Sequence, residues 1–169
     1  MFINKLICIF TIKMKSNLFS IGYGNRQIEE FLSILEKFEI KTVIDVRSFP
    51  YSKFRPTYNK SQLQRTLAEK QIEYIYKGDE LGGMPKDDSF YTSGEVDYDK
   101  VRNSHLYQQG LQFVKQVLNH DINVVIMCAE FDYKKCHRWN LIGMDLSKEG
   151  YSMKHITKNV EVEICNQLL

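Results

Sequence analysis

The sequence predicts an α/β protein: a single domain with a mainly parallel five-stranded sheet and helices on both faces, in a Rossmann-like three-layer arrangement. Short apolar runs rich in β-branched residues alternate along the chain with segments of helical periodicity. This alternation is typical of a parallel sheet that is covered on both sides. The length of 169 residues and the hydrophobic content of 43% suit one sizeable core, and no repeat or linker divides the chain.

Five segments are predicted to be strands. Their ranges, in chain order, are 18–22, 42–46, 73–77, 123–128 and 152–156. The fourth, NVVIMC, is apolar almost throughout, which favours a central position with both faces buried. The last residues of the chain are compatible with a short helix.

Helical segments separate these strands. Asn25 is placed to cap the first helix, and Asn59 or Ser61 begins the second. A further helix precedes the fourth strand, and Gly150 is placed to end the helix that leads into the last strand. The apolar positions that give the first helix its periodicity are Ile28, Phe31, Leu32, Leu35 and Phe38.

Composition narrows the class of protein. A net charge of +2 is too small to indicate nucleic-acid binding by itself. Four cysteines at irregular positions do not form a disulfide framework, so reduced thiols and a cytoplasmic location are expected. No apolar run reaches the roughly eighteen residues of a membrane span. Residues 1–13 are expected to be an extension outside the fold, and residues 14–169 to form the α/β domain.

The segments richest in functional side chains follow the predicted strands. GYGN follows the first strand, DVRSFP covers the end of the second, GDELGG follows the third, and CAEFDYKKCHR begins at the end of the fourth. In an open parallel sheet, ligands bind beyond the carboxyl ends of the strands. The four segments therefore predict one polar site, and their arginines favour a small anionic ligand, such as a phosphorylated compound or a nucleotide.

The predicted ligand-binding residues come from all four segments. The backbone of GYGN could hold a phosphate at a helix N-terminus, although a tight turn is the stronger explanation of its glycines. Arg47 could clamp a phosphate or carboxylate while Asp45 orients a polar partner; alternatively, the two form an internal ion pair. The set is Gly22, Tyr23, Asn25, Arg47, Gly82, Gly83 and Arg138.

The segment CAEFDYKKCHR carries most of the predicted catalytic residues. Cys128 could be a nucleophile at a strand end, or a small buried hydrophobic residue. Asp132 is predicted to cap a helix that presents His137 and Arg138 near its positive end. Glu130 could act as a general base or pair with Arg138. No metal site is expected, because seven residues separate the two cysteines and no fourth ligand is evident. The predicted catalytic set is Asp45, Cys128, Glu130 and His137.

The loop YSKFRPTYNK interleaves aromatic residues with cations. Tyr51, Phe54 and Tyr58 alternate with lysine and arginine, a mixture that suits stacking on bases and contact with phosphates. The alternative is a folded loop whose rings pack on the core while its cations face water. Nucleic acid is therefore a second candidate partner, bound through residues 50–60.

Four stretches, in order, resemble the domain-of-unknown-function 488 family. They are SIGYGNRQIEEFL, VIDVRSFPYSKFRPTYNK, IEYIYKGDELGG and VVIMCAEFDYKKCHRWNLI, and they cover most of residues 18–156. The resemblance implies an α/β domain with a polar site built from these motifs. A looser similarity of VIDVR and VVIMC to rhodanese-type domains implies a strand-end cysteine that carries sulfur.

Three functional hypotheses follow. The first is an enzyme that acts on a phosphorylated or nucleotide-like ligand, with no particular cofactor indicated. The second is cysteine-dependent sulfur or phosphoryl transfer, as in rhodanese-type domains. The third is a nucleic-acid-binding module without catalytic activity.

Overall fold

The computed structural model describes residues 18–165. The predicted extension at residues 1–13 lies outside the described residues. Within the described range, no helix is long and apolar enough to cross a membrane. The chain forms an α/β structure with helices packed on both faces of a central sheet, which confirms the predicted fold class.

The strands include all five that the sequence predicts. They are β1 Leu18–Gly22, β2 Ile40–Asp45, β3 Glu73–Tyr76, β4 Tyr91–Thr92, β5 Glu95–Val96, β6 Asn123–Cys128, β7 Met153–Ile156 and β8 Val162–Ile164. Six of them form the central sheet in the order β3-β2-β6-β1-β7-β8, and β4 and β5 form a separate hairpin. Neighbouring strands of the central sheet are parallel except β7 and β8. Because β6 lies between β1 and β2, the order differs from the usual dinucleotide-binding order.

The helices fill the connections between the strands. They are α1 Ile28–Lys37, α2 Lys60–Glu69, α3 Gly78–Leu81, α4 Tyr98–Arg102, α5 His105–Leu118 and α6 Met144–Lys148. Short 3-10 helices occur at Pro56–Tyr58, Asp88–Phe90 and Tyr133–Lys135, and a π-helix at Arg138–Gly143 leads directly into α6. As predicted, α2 begins after Asn59, and Gly150 follows α6 with a φ of +86°.

The alternation of side chains on β6 defines the two cores. Val124, Ile126 and Cys128 pack on the face that α5 and α6 cover, whereas Val125 and Met127 pack on the face that α1 and α2 cover. The central position predicted for this strand is confirmed. Because both faces are closed, polar groups at the end of β6 must find their partners inside the protein.

Two local predictions are wrong. Asn25 is exposed and does not cap α1, which begins after Gln27; the turn at Gly24 places Asn25 too early in the chain. The last described residues form β8 instead of a helix, because a turn in which Thr157 donates its N–H to Glu161 folds the chain back onto β7.

His155 on β7 is fully buried among aromatic rings. Its ring stacks on Tyr133 with 3.8 Å between centroids and meets Trp139 edge-on at 5.2 Å. Nδ1 lies 2.7 Å from the hydroxyl oxygen of Ser20. Burial, followed by the positive charge of Arg138, lowers the pKa of His155 to about 3. The ring is therefore neutral in the folded protein at neutral pH.

This pKa predicts a pH-dependent stability. Between about pH 6.5 and pH 3 the unfolded chain binds a proton at His155 that the folded chain does not, so the free energy of unfolding falls as the pH falls. His155→Gln removes this contribution. The stability difference between the wild type and the variant should shrink by about 3 kcal/mol between pH 7 and pH 4, measured by urea denaturation. The packing change caused by the substitution is the same at both pH values, so it does not affect this comparison. A stability difference that stays the same at pH 7 and pH 4 would contradict the prediction.

Candidate functional site

Three strand ends meet at one edge of the sheet. Gly22 on β1 lies opposite Cys128 on β6, and Asp45 on β2 lies opposite Met127 on β6. The segments that follow these strands therefore start beside one another, as the sequence predicts. The sheet nevertheless divides their side chains between its two faces, because successive residues of a strand point to opposite sides. Two polar clusters result.

The first cluster is an ion pair between Asp45 and Arg47 on the α1/α2 face. Arg47 Nε lies 2.9 Å from Asp45 Oδ1, and Nη2 lies 2.6 Å from Oδ2. The Tyr74 hydroxyl donates to Asp45 Oδ2 at 2.6 Å, and Arg47 Nη2 also donates to the Tyr58 carbonyl at 2.8 Å. Asp45 and Arg47 are both buried. The fork of Arg47 is thus used on an internal carboxylate, which favours the structural alternative for this pair.

Tyr23 belongs to the same cluster. Its ring stacks on Tyr58 at 4.0 Å and lies 5.3 Å from the guanidinium carbon of Arg47. The N–H groups of Tyr23 and Gly24 donate to the carbonyls of residues 128–129. Gly24 has a φ of +50°, as a tight turn requires. The GYGN segment is therefore a turn that uses these two N–H groups internally, which leaves them unavailable to a phosphate.

The second cluster lies on the opposite face and joins Cys128, Cys136 and His137. One atom of each residue, a sulfur or a ring nitrogen, lies within 4.8 Å of the other two. Their exposed fractions are only 9%, 4% and 8%. Nδ1 of His137 is 3.6 Å from Cys136 Sγ, and Nε2 is 3.0 Å from the carbonyl oxygen of Val46. Because a carbonyl only accepts, Nε2 carries the proton and the Nδ1 lone pair is on the side of the thiols.

A short turn brings the two cysteines together. Asp132 accepts the N–H of Lys134 and caps the 3-10 helix Tyr133–Lys135. Cys136 follows in an extended conformation, with φ −120° and ψ 143°. The continuous helix predicted from Asp132 to Arg138 is therefore wrong, because the extended Cys136 interrupts it. The same interruption returns the Cys136 side chain to the end of β6.

Local interactions give the two thiols different pKa values. A hydrogen bond from the Cys136 thiol lowers the pKa of Cys128 to about 5 against the opposing effect of burial, with smaller lowering contributions from His137, the Glu130 N–H and Arg138. The same hydrogen bond, followed by burial, raises the pKa of Cys136. Burial lowers the pKa of His137. Cys128 is therefore the more acidic of the two thiols.

Arg138 lies beside this cluster without a carboxylate partner. It is 1% exposed, and Nη2 donates to the Phe131 carbonyl at 3.2 Å. Nε and Nη1 have no hydrogen-bond partner. No ion pair among residues 18–165 includes Arg138. Glu130, its predicted alternative partner, is exposed, and its carboxylate accepts the N–H of Asp132 at 2.9 Å.

Arg26 is a buried residue of this edge that the sequence did not single out. It donates to the carbonyls of Gly22, Thr157 and Lys158, and its Nε lies 3.2 Å from Glu30 Oε1. It thereby ties the turn after β1 to the turn after β7. Its position directly after GYGN was the available signal, but an arginine before an amphipathic helix is usually a surface residue.

Two of the predicted glycines lie against Arg138 and His137. A Cβ at Gly22 would overlap the carbonyl group of Glu130 and lie 2.7 Å from Nη1 of Arg138. A Cβ at Gly83 would lie 2.6 Å from Nδ1 of His137. Gly82 is packed instead against the side chain of Ser48. Glycine is needed at these positions because of the close approach of other groups.

The loop that follows β2 exposes aromatic rings next to this edge. Phe49, Tyr51 and Phe54 are 61%, 68% and 93% exposed, whereas Tyr58 is 1% exposed. Packing on the core therefore accounts for Tyr58 but not for the other three rings. Met84, on the adjoining segment, also has an exposed side chain. Its backbone N–H donates to the Ser48 hydroxyl at 2.9 Å.

A large groove lies at the opposite edge of the sheet. Its volume is about 880 Å³, and its lining includes Glu36, Lys41 and Asn123, near the starts of β2 and β6. The cysteine–histidine cluster is not part of this lining. The cluster is thus a nearly closed group of side chains beneath the surface, and its chemistry, not its volume, marks it as the candidate site.

The fold and the cluster define a three-layer α/β protein with thiol, imidazole and guanidinium groups at the end of its central strand. The family model described as Domain of unknown function DUF488 matches residues 27–144, more than half of the chain. The chain therefore belongs to the DUF488 family, and the matched region contains the whole cysteine–histidine cluster and Arg138. Searches of curated proteins and of solved structures gave no match.

The contact at Gly22 generates a stability prediction. Gly22→Ala should lower the free energy of unfolding by about 3 kcal/mol or more, because the new methyl group forces the backbone of β1 away from the Glu130 carbonyl. Gly94→Ala is the control: its φ is +84° but a Cβ there meets nothing within 4 Å, so about 1–2 kcal/mol of backbone strain is expected. Chemical denaturation measures both, and equal losses would contradict the close contact.

Proposed function

We propose that the chain is an enzyme acting on a small ligand that carries a phosphate or carboxylate, with Arg138 as the group that binds the anion. The observation that carries this proposal is the buried guanidinium of Arg138, whose Nε and Nη1 lack partners. Arg26 and Arg47, the other buried arginines among the described residues, have the carboxylates of Glu30 and Asp45. Nε of Arg26 also makes no hydrogen bond but lies 3.2 Å from Glu30 Oε1, so Arg138 is the one of the three without a carboxylate.

The energetics of burial support a ligand for Arg138. An ion removed from water without a partner costs several kcal/mol, and buried donors are normally hydrogen-bonded. Once Nη2 leaves the Phe131 carbonyl, it can form a fork with either free donor, Nε or Nη1, for two oxygens of a phosphate or carboxylate. Ala129 and Glu130 are exposed, and the Glu130 carbonyl and Nη1 of Arg138 both lie against Gly22. The ligand would therefore enter across this segment and displace the Phe131 carbonyl from Nη2. The exposed Glu130 carboxylate would then lie at the rim, available for proton transfer.

The rhodanese-like alternative has less support. Sulfur carriers of that type enclose the cysteine in a compact loop of backbone N–H groups before a helix. Here a 3-10 turn and the extended Cys136 follow Cys128, and among the described backbone groups the N–H of Glu130 is the one that acts on the Cys128 sulfur. The low exposure of Cys128 also limits its access to electrophiles.

Arg138→Gln tests the proposal. The variant removes the charge and keeps much of the stem. A calorimetric titration with inorganic phosphate should show that the variant binds phosphate roughly 10-fold to 150-fold more weakly than the wild type. This factor corresponds to the loss of one charged hydrogen-bonding group. Its free energy of unfolding should be unchanged or higher, since an unpaired buried charge is removed. Arg65→Gln, on the exposed surface of α2, makes the same change in net charge and should leave phosphate affinity unaltered.

The opposite pattern identifies a structural arginine. If Arg138→Gln unfolds about 3–5 kcal/mol more easily while phosphate affinity stays at the wild-type value, Arg138 has an internal partner and the proposal is wrong. Absence of phosphate binding to the wild-type protein would reject it equally.

The exposed aromatic loop favours a second candidate function, binding of single-stranded nucleic acid. Tyr51 and Phe54 are largely exposed beside Lys53 and Arg55. Aromatic side chains that stack on bases, together with cations that contact phosphates, are the usual elements of such surfaces. This loop follows β2 and Arg138 follows β6, at the same edge of the sheet, so a terminal phosphate is one form that the anionic ligand could take.

A double variant with Tyr51→Ala and Phe54→Ala tests whether the exposed aromatic loop binds nucleic acid. If bases stack on these rings, affinity for a single-stranded oligonucleotide should fall at least 10-fold, because each stacking contact contributes roughly 1–3 kcal/mol. Leu106→Ala is the control, since Leu106 is also an exposed apolar residue, 49% exposed, on α5. Fluorescence anisotropy at several salt concentrations measures both. Wild-type affinity that does not depend on salt, or that the double variant retains, would reject the nucleic-acid role.

A further inference from the structure

We propose that Cys128, Cys136 and His137 bind one thiophilic divalent metal ion, with zinc as the ion that fits the donors best. Two thiol sulfurs and an imidazole nitrogen form a donor set that zinc uses in proteins. The three donor atoms lie within 4.8 Å of one another in a buried setting. The sites of Zn²⁺ with three protein ligands keep a fourth position open for water or substrate.

The spacing of the donors agrees with a bound zinc ion. Zinc–sulfur bonds of about 2.3 Å and zinc–nitrogen bonds of about 2.0–2.1 Å, at a tetrahedral angle, put the two donor atoms roughly 3.6 Å apart. The distance from Cys136 Sγ to His137 Nδ1 is 3.6 Å. A thiol–imidazole hydrogen bond has a similar length, so the spacing alone does not identify the ion.

The orientation of His137 is the second observation. Nε2–H donates to the carbonyl of Val46, and the Val46 N–H donates to Met127 on β6. The ring is thus fixed to the central sheet with Nδ1 turned to the sulfurs. Histidine ligands of metals typically donate their other N–H to a carbonyl or carboxylate in this way, which sets the tautomer before the ion arrives.

Gly83 is the third observation. Its backbone covers Nδ1 of His137 so closely that a Cβ would lie 2.6 Å from this nitrogen. A side chain at position 83 would press on the imidazole ring beside the lone pair of Nδ1. The segment after α3, whose glycines the sequence predicted to bind a ligand, therefore forms one wall of the proposed metal site.

Charge relates this ion to Arg138. A divalent ion with two thiolates is neutral, and Arg138, whose charge acts on both thiols, adds one positive charge beside it. The fourth ligand should therefore be an anion that contacts both the metal and the guanidinium. This link rests on the proposed function of Arg138, whereas the metal site rests on the donor atoms, the ring orientation and Gly83.

Cobalt substitution tests the metal site. The full-length protein, with Cys8→Ser and Cys165→Ser so that Cys128 and Cys136 are the only thiols, is titrated with Co²⁺ under reducing conditions. The expected result is one equivalent bound, with thiolate-to-cobalt charge-transfer absorption and the visible bands of tetrahedral cobalt. Zn²⁺ should displace it. Cys136→Ser and His137→Gln should each weaken binding more than the roughly 10–100-fold lost with an outer-shell partner.

Two other results would contradict the proposed metal site. The wild-type chain, measured in parallel, excludes an effect of the two background substitutions. No charge-transfer band in either protein would reject the metal ion and leave the cluster a thiol–imidazole pair. Binding that persists in Cys136→Ser and His137→Gln would place the ion elsewhere.

Phosphate separates the two proposals. If phosphate shifts the visible bands of bound Co²⁺, and Arg138→Gln abolishes the shift, the anion contacts both groups. If phosphate binds in an Arg138-dependent manner without altering the bands, the link fails while the metal site and the anion site both stand. If cobalt binds and phosphate does not, the proposed function fails alone.

Discussion

The pairing of β6 between β1 and β2 is the constraint on which the rest of the structure depends. It buries NVVIMC on both faces and sets Gly22 directly opposite Cys128. The chain leaving β6 then passes so close to Gly22 that only hydrogen fits in place of a side chain. This contact fixes the start of the segment that carries both cysteines, His137 and Arg138.

The burial of charge at this edge follows a consistent pattern with one exception. Asp45 and Arg47 satisfy each other on the α1/α2 face, with Tyr74 and Tyr58 completing their hydrogen bonds. Such a pair costs desolvation energy and recovers it through short, well-aligned contacts. Arg138, on the other face, has no such compensation within the described residues. A buried cation without a partner is a reasonable place for function, since structure alone gives no reason to keep it.

The sequence identified most of the fold. Strand–helix alternation predicted the parallel sheet, and the uniformly apolar run at 123–128 predicted its central strand. Periodicity could not give the strand order, because every parallel strand here has the same local pattern whichever neighbours it has. The antiparallel β8 was also beyond reach, since its short edge strand lacks the apolar run that marks a buried one.

For the site, the sequence by itself determined which residue types gather at the strand ends. Only the tertiary structure decided which of them meet. The pleat sends Asp45 and Cys128 to opposite faces of adjacent strands, a difference that depends on register and not on composition. Likewise, seven residues separate the two cysteines, a spacing that argued against a metal site. The extended conformation of Cys136 nevertheless brings Cys136 and His137 next to Cys128. Side-chain convergence of this kind is set by backbone dihedrals and close packing, which no linear motif records.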